Sequence, residues 1–392
     1  MLSVLNFLPS EQYDITLLLT DVQGDLLPLL PPHVKVLEVP FAPMDRYELQ
    51  HGRVSALKYA LTHFHWLHVF RMLSLRLRWR LSGTRDNFNV RVIRAMMRRV
   101  DVAKMPTVFD YAFAYVGGIL IGSIVRDLIT APVKAIWCHN EQEIGLLKSG
   151  VWLAIHATYT HRFASRQLCE CLNADRHPEW APFEVMPLCL DTNLYYKMAQ
   201  EGMGFTDDFA GPRILTVGRI CYQKGIDIAI RVAAKLKSAG LRFRWYVVGS
   251  GEAHGNCVQL VRNMGVSDSF VFLGQSLNPY PFFAQCEVYV QPSRWEAYCL
   301  TVAEARAFGK PIVATDFVGA REQLRDGRTG LIVPIDDEES LYRQVARLLT
   351  DPILRCSLGG NLGHEVVNQV EMTRKAWNQL LHGSLILKEH VA

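Results

Sequence analysis

Two glutamates eight positions apart, Glu296 and Glu304, are the residues whose spacing says most about chemistry in this chain. An apolar run at 288–292 precedes them, and a helical pattern and a second apolar run at 309–314 follow. A loop that ends one parallel strand and opens a helix is where an open α/β sheet binds its ligands. On a helix, positions eight apart are separated by about 12 Å and lie on one face. The pair is therefore predicted to contact two ends of an elongated ligand and not to share one proton.

An arginine and a lysine five positions apart, Arg219 and Lys224, bracket a second predicted strand-to-helix loop. Both cations can converge on one anion, to which a helix N-terminus adds free backbone N–H donors. This arrangement favours a diphosphate; two solvated cations beside a turn are the alternative.

The glycine-rich segment 246–255 is similar to a dinucleotide fingerprint, with Asp268 as its acid. Its glycine spacing is off by one, and it follows the second strand of its domain instead of the first. Glycine is interpreted here as letting a nucleotide approach the backbone closely.

The elements that must position these residues alternate regularly from about residue 213 onwards. Predicted strands lie at 213–217, 243–248, 270–273, 288–291, 311–314 and 330–333, and predicted helices at 225–237, 253–263, 300–308 and 338–349. Such alternation implies a parallel, doubly wound sheet with right-handed crossovers. The N-terminal half is a looser version, with strands predicted at 13–20, 34–39, 109–115, 133–137, 152–157 and 183–186.

The predicted fold class is α/β, with two Rossmann-like doubly wound domains. A length of 392 residues suggests two domains, and 49% hydrophobic with 20% charged residues is a globular composition. The predicted bounds are 1–200 for the first domain, 201–211 for a linker and 212–370 for the second domain. The closing segment 371–392 is expected to be a helix that packs back on the first domain.

The formal net charge of +4 is small, but its distribution is uneven. Residues 51–104 carry twelve arginines and lysines against two aspartates. Basic and apolar residues alternate there and aromatic residues precede them, which is typical of a segment that binds a membrane surface. A solvated cationic helix face and a groove for an anionic substrate are the alternatives.

Nine cysteines without a C-x-x-C pair indicate buried thiols in a reducing compartment. No signal peptide is evident, and the uncharged stretch 111–125 is short for a membrane span of about 20 residues. That stretch is predicted to be a strand turning into a helix. No Asp-x-Asp sequence and no metal-ligand cluster occur, so no metal is expected.

Taken together and in order, these motifs resemble the retaining GT-B glycosyltransferases of family four, the group 1 transferases. The segments that follow that family's order and spacing are 217–219 with 224–225, 248–252, 272–274, 278–280, 293–296 with 304–305, 309–311, 316–319 and 330–334. The match covers roughly 213–350 well and the N-terminal half diffusely. Segments 13–19 and 137–140 are similar to polysaccharide-assembly members, and the implied fold has two domains facing across a cleft.

The resemblance implies a role for each matching position. Arg219 and Lys224 would hold the diphosphate of the donor and stabilise charge on the departing nucleotide, an electrostatic role that needs no metal. Glu296 would contact hydroxyls of the transferred sugar, and Glu304 would accept hydrogen bonds from the ribose. His139 would point into the cleft and touch the donor sugar, with a packed or solvated ring as the alternative. The loop at 272–274 would face the nucleobase.

The implied site has two overlapping sets of residues. The catalytic set is Glu296, Arg219, Lys224 and His139. The donor-binding set is Gly218, Arg219, Lys224, Gly249, Gly274, Glu296, Tyr298, Cys299, Leu300, Thr301 and Glu304, where backbone N–H groups around 298–301 would meet the sugar and the phosphates.

This chain departs from the family pattern at two places. The family often has glycine, an aromatic residue and glycine after the first glutamate, whereas this chain has Ala297, Tyr298 and Cys299. The family also begins with a strand before its first helix, whereas residues 1–10 are typical of the latter part of that helix. The first strand is therefore expected to be absent. Three explanations are open: the start codon lies upstream, a neighbouring chain supplies the strand, or the gene is degraded.

The predicted function is a retaining, metal-independent hexosyltransferase that moves a sugar from a UDP-sugar or GDP-sugar to a glycan or lipid-linked acceptor. Surface polysaccharide biosynthesis is the expected setting, and nucleic acid is not an expected partner. The protein is predicted to be cytoplasmic and peripheral on the inner face of the cell membrane. Residues 51–104 would contact the anionic surface of that membrane. A nucleotide-sugar epimerase on the same fold and an inactive transferase-like partner subunit are the alternatives.

Overall fold

The computed structural model describes residues 2–63, 65–81, 88–115, 119–138, 158–164, 166–174, 182–187 and 189–389. The chain divides into two compact units. The first unit contains residues 1–164, 169–185 and 381–392, and the second contains residues 165–168 and 186–380. The second unit therefore includes residues 201–211, the predicted linker.

All described strands of the first unit pair in parallel, and they form two sheets. The smaller sheet pairs β1 (Thr16–Leu19) with β2 (Lys35–Glu38). The larger sheet has the order β3 (Tyr111–Ala114), β4 (Val133–Trp137), β5 (His161–Ala164) and β6 (Glu184–Val185). The predicted absence of a first strand stays a prediction.

The helices that accompany these strands are largely N-terminal to the larger sheet. They are α1 (Leu2–Phe7), α2 (Pro43–His51), α3 (Arg53–Thr62), α4 (Trp66–Leu81), α5 (Phe88–Met97), α6 (Ile119–Leu128) and α7 (Arg166–Ala174). Helices α5 and α6 bury Val92, Met96 and Ile124 in one core with Ile136 of β4. The basic segment 51–104 is thus a group of helices packed partly on the core of this unit.

The second unit is built on one parallel sheet of six strands. They are β7 (Arg213–Val217), β8 (Arg244–Val248), β9 (Phe270–Gly274), β10 (Val288–Gln291), β11 (Ile312–Thr315) and β12 (Leu331–Val333). Their spatial order is β12-β11-β10-β7-β8-β9. The chain therefore starts at the centre with β7 and adds β8 and β9 towards one edge, then returns to the centre with β10 and adds β11 and β12 towards the other edge. This is the strand order of a dinucleotide-binding doubly wound sheet.

The helices of the second unit follow the strands in alternation. They are α8 (Thr192–Glu201), α9 (Ile226–Ser238), α10 (His254–Asn263), α11 (Tyr280–Gln285), α12 (Leu300–Ala307), α13 (Ala320–Gln323), α14 (Glu338–Thr350) and α15 (Pro352–Glu389). The residues of α15 from Leu381 on group with the first unit, where the Tyr111 hydroxyl donates a hydrogen bond to the Leu381 carbonyl.

Helix α14 shows how the sequence specifies these elements. The Asp337 carboxylate accepts a hydrogen bond from the Ser340 backbone N–H at 2.9 Å, which caps the first turn. Leu341, Val345 and Leu348 follow at helical spacing and are fully buried against the sheet. The capping residue and the apolar periodicity together determine where the helix begins and which face it buries.

The six strands predicted after residue 212 are confirmed, with boundaries that differ by one residue at most. In the first half, the strand predicted at 152–157 lies outside the described residues, and β5 was not predicted. The reason is that β5 is short and carries Arg162, which is only 2% exposed but interrupts the apolar pattern. The stretch 111–125 is a strand followed by a helix, as predicted.

Two further expectations concern thiols and membrane spans. Seven of the cysteines whose side chains are described are buried thiols, and Cys356 is exposed, which confirms the predicted buried thiols. Among the helices that the structure describes, none combines the length and the apolar character required to cross a bilayer.

Candidate functional site

The winding of the second sheet reverses between β7 and β10, which are neighbours although 70 residues of chain separate them. Ligands of open α/β sheets bind outside the carboxyl ends of the strands at such a reversal. The loop after β7 carries Arg219 and Lys224, and the loop after β10 carries Glu296. The fold therefore brings the two sequence-predicted clusters to one edge of one sheet.

Lys224 and Glu296 form an ion pair at this edge, in which the Lys224 ammonium donates to Glu296 Oε1. The Glu296 residue is only 9% exposed, and its Oε1 also accepts a hydrogen bond of 2.9 Å from the Ser293 hydroxyl. These two contacts at Oε1 fix the orientation of the Glu296 carboxylate. Charged groups that are positioned before the ligand arrives stabilise developing charge at little reorganisation cost.

A buried chain of polar side chains supports Glu296 from behind. The Tyr289 hydroxyl donates to Gln291 Oε1 at 2.6 Å, and Gln291 Nε2 donates to the Ser293 hydroxyl at 2.7 Å. Tyr289, Gln291 and Ser293 are fully buried, and burial raises the pKa of Tyr289 well above its ordinary value. Sequence analysis missed Tyr289 and Gln291, although polar residues at alternate positions of an apolar strand, which share one face, were the available signal.

The loop after β7 depends on a glycine at its last position. Gly225 has a φ of +64°, and a Cβ placed on it would collide with the carbonyl oxygen of Pro292 in the loop after β10. Glycine has no Cβ, so it adopts this left-handed conformation readily and avoids the collision with Pro292. Gly225 thus lets the Lys224 loop and the Glu296 loop approach closely.

The predicted donor-binding glycines lie at the carboxyl ends of three adjacent strands. Gly218 follows β7, Gly249 follows β8 and Gly274 ends β9. The Gly218 N–H donates to the Val248 carbonyl at 3.0 Å, and the Gly249 N–H donates to the Gly274 carbonyl at 2.7 Å. The backbone at this edge is therefore closely packed and free of side chains at these three positions.

The remaining predicted cation, Arg219, is exposed. Within the described part of the chain it has no ion-pair or hydrogen-bond partner, in contrast to Lys224. A solvated guanidinium in the same loop as Lys224 is available to a phosphate group, to which it can donate two parallel hydrogen bonds.

The loop from Tyr298 to Thr301 leads into α12. The Gln323 amide donates to the carbonyls of Tyr298 and Cys299, and the Thr301 hydroxyl donates to Gln291 Oε1 at 3.1 Å. Leu300 is exposed, whereas Cys299 is buried and its pKa is raised to about 12 by that burial. The thiol of Cys299 is therefore neutral and lines the loop as a small apolar group.

Cys299 has a φ of +66°, a left-handed conformation that a residue with a side chain rarely adopts. This is the position where the resembled family often has glycine, so the backbone keeps a geometry that suits glycine. We expect the Cys299→Gly variant to be more stable than the Cys299→Ala variant by about 1 kcal/mol, because both lose the thiol but only glycine relieves the strain. Urea unfolding of the two variants measures the difference; equal stabilities or a more stable alanine variant would contradict the strain.

Glu304 lies on α12, and its Oε1 accepts a hydrogen bond of 3.2 Å from the Tyr280 hydroxyl of α11. Burial raises the pKa of Glu304 to about 7, although the bond from Tyr280 acts in the opposite direction. Near neutral pH this carboxyl therefore exists in both its neutral and its charged form.

Two further residues were singled out in the sequence, His139 and Asp268. His139 lies outside the described residues. Asp268, the acid of the weak dinucleotide fingerprint, precedes β9 at the amino edge of the sheet and pairs with Lys237 at 2.7 Å. Asp268 is therefore not a nucleotide ligand of the fingerprint type.

A second cluster of polar residues lies in the first unit, where Asp45, Glu48 and His68 hold their ligand-type atoms within 4.8 Å of one another. Arginines occupy these carboxylates: Arg71 and Arg99 donate to Asp45, and Arg53 donates to Glu48 at 3.0 Å. Arg71 also donates to Nδ1 of His68 at 3.0 Å, and burial lowers the pKa of this histidine. The cluster is best described as a buried ion-pair network that joins α2, α3, α4 and the end of α5.

Comparisons with known proteins find a family match within the second unit. Residues 211–351 match the model of the family described as "Glycosyl transferases group 1". A lipopolysaccharide core biosynthesis mannosyltransferase, LpcC of Rhizobium leguminosarum bv. viciae, is 26% identical over 65% of this chain and 72% of its own length. Seven further curated relatives, among others, match over less than half of their own length.

Solved structures resemble nearly the whole chain. A sucrose-phosphate synthase from Thermosynechococcus elongatus has a TM-score of 0.67 at 18% identity, over 96% of this chain and 90% of that one. HepE of Anabaena, crystallised with UDP and glucose, has a TM-score of 0.65 at 15% identity, over 97% and 95% respectively. The predicted GT-B fold class is confirmed by this likeness, which at such identities concerns the fold alone.

Proposed function

We propose that this chain, in which residues 211–351 form a domain of the glycosyl transferases group 1 type, transfers a sugar from a nucleoside diphosphate sugar to a glycan or lipid-linked acceptor, with retention. The observation that carries the proposal is the Lys224–Glu296 pair at the reversal point of the second sheet. A cation and a carboxylate at this point match the two parts of such a donor, which has an anionic diphosphate and a hydroxyl-rich sugar.

In the proposed reaction, the bond between the anomeric carbon and the diphosphate oxygen breaks, and a glycosidic bond to an acceptor hydroxyl forms. The nucleoside diphosphate leaves with the bonding electrons, and the hydroxyl proton is released with it. Arg219 and Lys224 stabilise the negative charge that develops on the leaving group, a task that elsewhere can fall to a metal ion. Glu296 orients the transferred sugar through its hydroxyls, and no metal is required.

The setting that we propose is the biosynthesis of a surface polysaccharide at the inner face of the cell membrane. The mannosyltransferase relative, by its name, works in lipopolysaccharide core biosynthesis. The HepE structure holds UDP and glucose, which supports a UDP-sugar donor alongside the GDP-sugar alternative.

A panel of nucleotide sugars tests the proposal directly. The purified chain is titrated with UDP-sugars and GDP-sugars by calorimetry, and each donor that binds is incubated with polysaccharide-type and lipid-linked acceptors. Transfer is measured as nucleotide release together with a glycosylated product of retained anomeric configuration. An epimer formed without nucleotide release would instead indicate an isomerase on this fold.

The raised pKa of Glu304 predicts a pH dependence of donor binding. Above about pH 7 the group is a carboxylate whose oxygens accept hydrogen bonds from a ribose, and below it the group is neutral. A charge-assisted hydrogen bond is stronger than a neutral one by about 1 kcal/mol, which is about a fivefold difference in affinity between the two forms. Because the group changes from mostly neutral to mostly charged between pH 6 and pH 8, affinity should rise about threefold over this range. Calorimetry with an intact nucleotide sugar measures this, because its diphosphate diester does not titrate in that range. The Glu304→Gln variant should show no such rise; an equal slope in both proteins would contradict the role.

The exposed face of α4 supports attachment to an anionic membrane. Large apolar residues of α4 recur at helical spacing on one side, and α3 adds further exposed apolar residues. The exposed residues are Trp66, Leu67, Phe70, Leu73 and Leu77 on α4 and Val54, Leu57 and Leu61 on α3. Lys58, Arg76 and Arg98 are exposed basic residues of the same helical group. An apolar helix face with basic residues beside it is suited to the headgroup region of an anionic bilayer.

We expect the chain to sediment with vesicles that contain phosphatidylglycerol and much less with vesicles of phosphatidylcholine alone. The double variant Phe70→Ser/Leu73→Ser should lose most of this binding, since it removes two apolar side chains of the face. The matched control is Met203→Ser/Leu277→Ser, which changes two exposed apolar residues of the second unit. Binding that is unaffected by the first double variant, or a dimer that dissociates in that variant, would contradict membrane attachment through this face.

A further inference from the structure

Two large aromatic side chains, Tyr222 and Trp295, are exposed beside the Lys224–Glu296 pair. Tyr222 is 65% exposed and Trp295 is 47% exposed, with ring centroids 5.9 Å apart and ring planes at 53°. The tryptophans Trp245 and Trp377 of this unit are, in contrast, buried. Adjacent exposed aromatic faces at a ligand-binding edge are a feature of binding surfaces, because they bury apolar area only when a partner arrives.

The Tyr222 ring is held in place by the guanidinium of Arg294, whose side chain is 9% exposed. The guanidinium carbon of Arg294 lies 3.9 Å from the centroid of this ring, within cation–π distance. Arg294 donates to both carboxylate oxygens of Asp227 at 2.8 Å and contacts Asp336 at 2.8 Å. Two parallel hydrogen bonds to one carboxylate fix the plane of the guanidinium, and that plane fixes the ring above it.

The two loops that carry the rings are also bonded to each other. The Arg294 N–H donates to the Gln223 carbonyl at 2.8 Å, and the Arg294 guanidinium donates to the Tyr222 carbonyl at 2.8 Å. The Gln223 amide donates to the Trp295 carbonyl at 2.9 Å. Because hydrogen bonds within the chain itself order these loops, the aromatic pair can bind a partner at a low entropic cost.

We infer that Tyr222 and Trp295 form a stacking surface for a sugar ring of the acceptor, which rests on the proposed sugar transfer. Aromatic faces carry partial negative charge, and the C–H bonds on one face of a pyranose carry partial positive charge, so the two stack favourably. Tyr222 lies two positions before Lys224, and Trp295 lies one position before Glu296. The proposed site assigns the donor diphosphate to Lys224 and the transferred sugar to Glu296, so the aromatic pair is left for the sugar that receives it.

Saturation-transfer NMR and calorimetry with methyl α-D-mannopyranoside and methyl β-D-glucopyranoside, in the presence of UDP or GDP, test this surface. The Trp295→Leu and Tyr222→Leu variants keep an apolar side chain but lose the aromatic face, and we expect each to weaken glycoside binding at least fivefold. Trp295→Phe keeps an aromatic face and should retain most of the binding. Tyr196→Leu changes an equally exposed aromatic residue of α8, 47% exposed, and should leave glycoside binding unchanged.

Nucleotide binding is measured on the same samples. It distinguishes a failure of the stacking role from a failure of the proposed sugar transfer. The stacking role is overturned if the wild type binds neither glycoside, or if the leucine variants bind them as the wild type does. It is also overturned if the leucine variants lose affinity for the nucleotide sugar instead, because the rings would then belong to the donor. A wild type that binds no nucleotide would overturn the proposed transfer itself, while the glycoside result would still decide the role of the rings.

Discussion

The Glu296→Ala and Arg219→Ala variants should each transfer sugar about 10² to 10³ times more slowly than the wild type. Glu296 is held by Lys224 and Ser293 at the reversal point of the second sheet, so its removal takes away the group that orients the sugar and leaves Lys224 unpaired. Arg219 is exposed and free to hold a phosphate, so its removal should act mainly on kcat, through the charge that develops on the leaving group.

Steady-state kinetics with the donor identified in the nucleotide-sugar panel measure both effects. The matched control is Asp268→Ala, which also removes an ion-paired carboxylate of this unit but at the opposite edge of the sheet, beside Lys237. Its transfer rate should be that of the wild type. Thermal unfolding of each variant shows whether a low rate reflects a lost fold. Full activity in both site variants would show that the site has been assigned wrongly.

The Asp45→Ala variant should be less stable than the wild type by about 3 kcal/mol. Asp45 is completely buried and accepts hydrogen bonds from two arginines, Arg71 of α4 and Arg99 of the turn that follows α5. Burial raises the pKa of this carboxyl even though Arg99 acts to lower it, which shows that desolvation is the larger effect. The aspartate therefore contributes chiefly by neutralising arginines that would otherwise be packed together unpaired.

The matched control for Asp45 is Glu371→Ala, which removes one carboxylate of an exposed ion pair with Lys375. Exposed pairs of this kind contribute less than about 1 kcal/mol, so little change is expected. Because the two units of the chain can unfold separately, hydrogen exchange in α2 and α4 should accompany the thermal measurement. Equal stability of the two variants would mean that the arginines are satisfied by solvent and that the network is not structural.

The buried network also changes the interpretation of the basic segment. The sequence shows twelve cations between 51 and 104, and their number alone suggests a strongly cationic surface. Arg53, Arg71 and Arg99 instead neutralise Asp45 and Glu48 inside the first unit. The charge available to a membrane is correspondingly smaller, and the exposed apolar face of α4 becomes the main argument for attachment. Charge counting missed this because the two acids precede the segment.

The alternation of strands and helices after residue 212 could be predicted because it depends on local periodicity and local caps. Apolar runs of four to six residues, helical spacing such as that of Leu341, Val345 and Leu348, and the cap at Asp337 all act within a few positions. The motif residues are local as well, since Arg219 and Lys224 share one loop and Glu296 precedes its helix. These features determined the fold class and most of the candidate site.

Tertiary structure alone decided which of these groups meet. Lys224 contacts Glu296 across 72 positions only because β10 pairs beside β7, and strand order is not encoded in any local pattern. The same packing placed Tyr289 and Gln291 behind the carboxylate, and it placed Arg294 beneath Tyr222. The sequence by itself determined the elements and the chemical groups they carry. The close packing of the sheet decided which groups are buried, paired or exposed, because burial and pairing depend on neighbours that are distant in the chain.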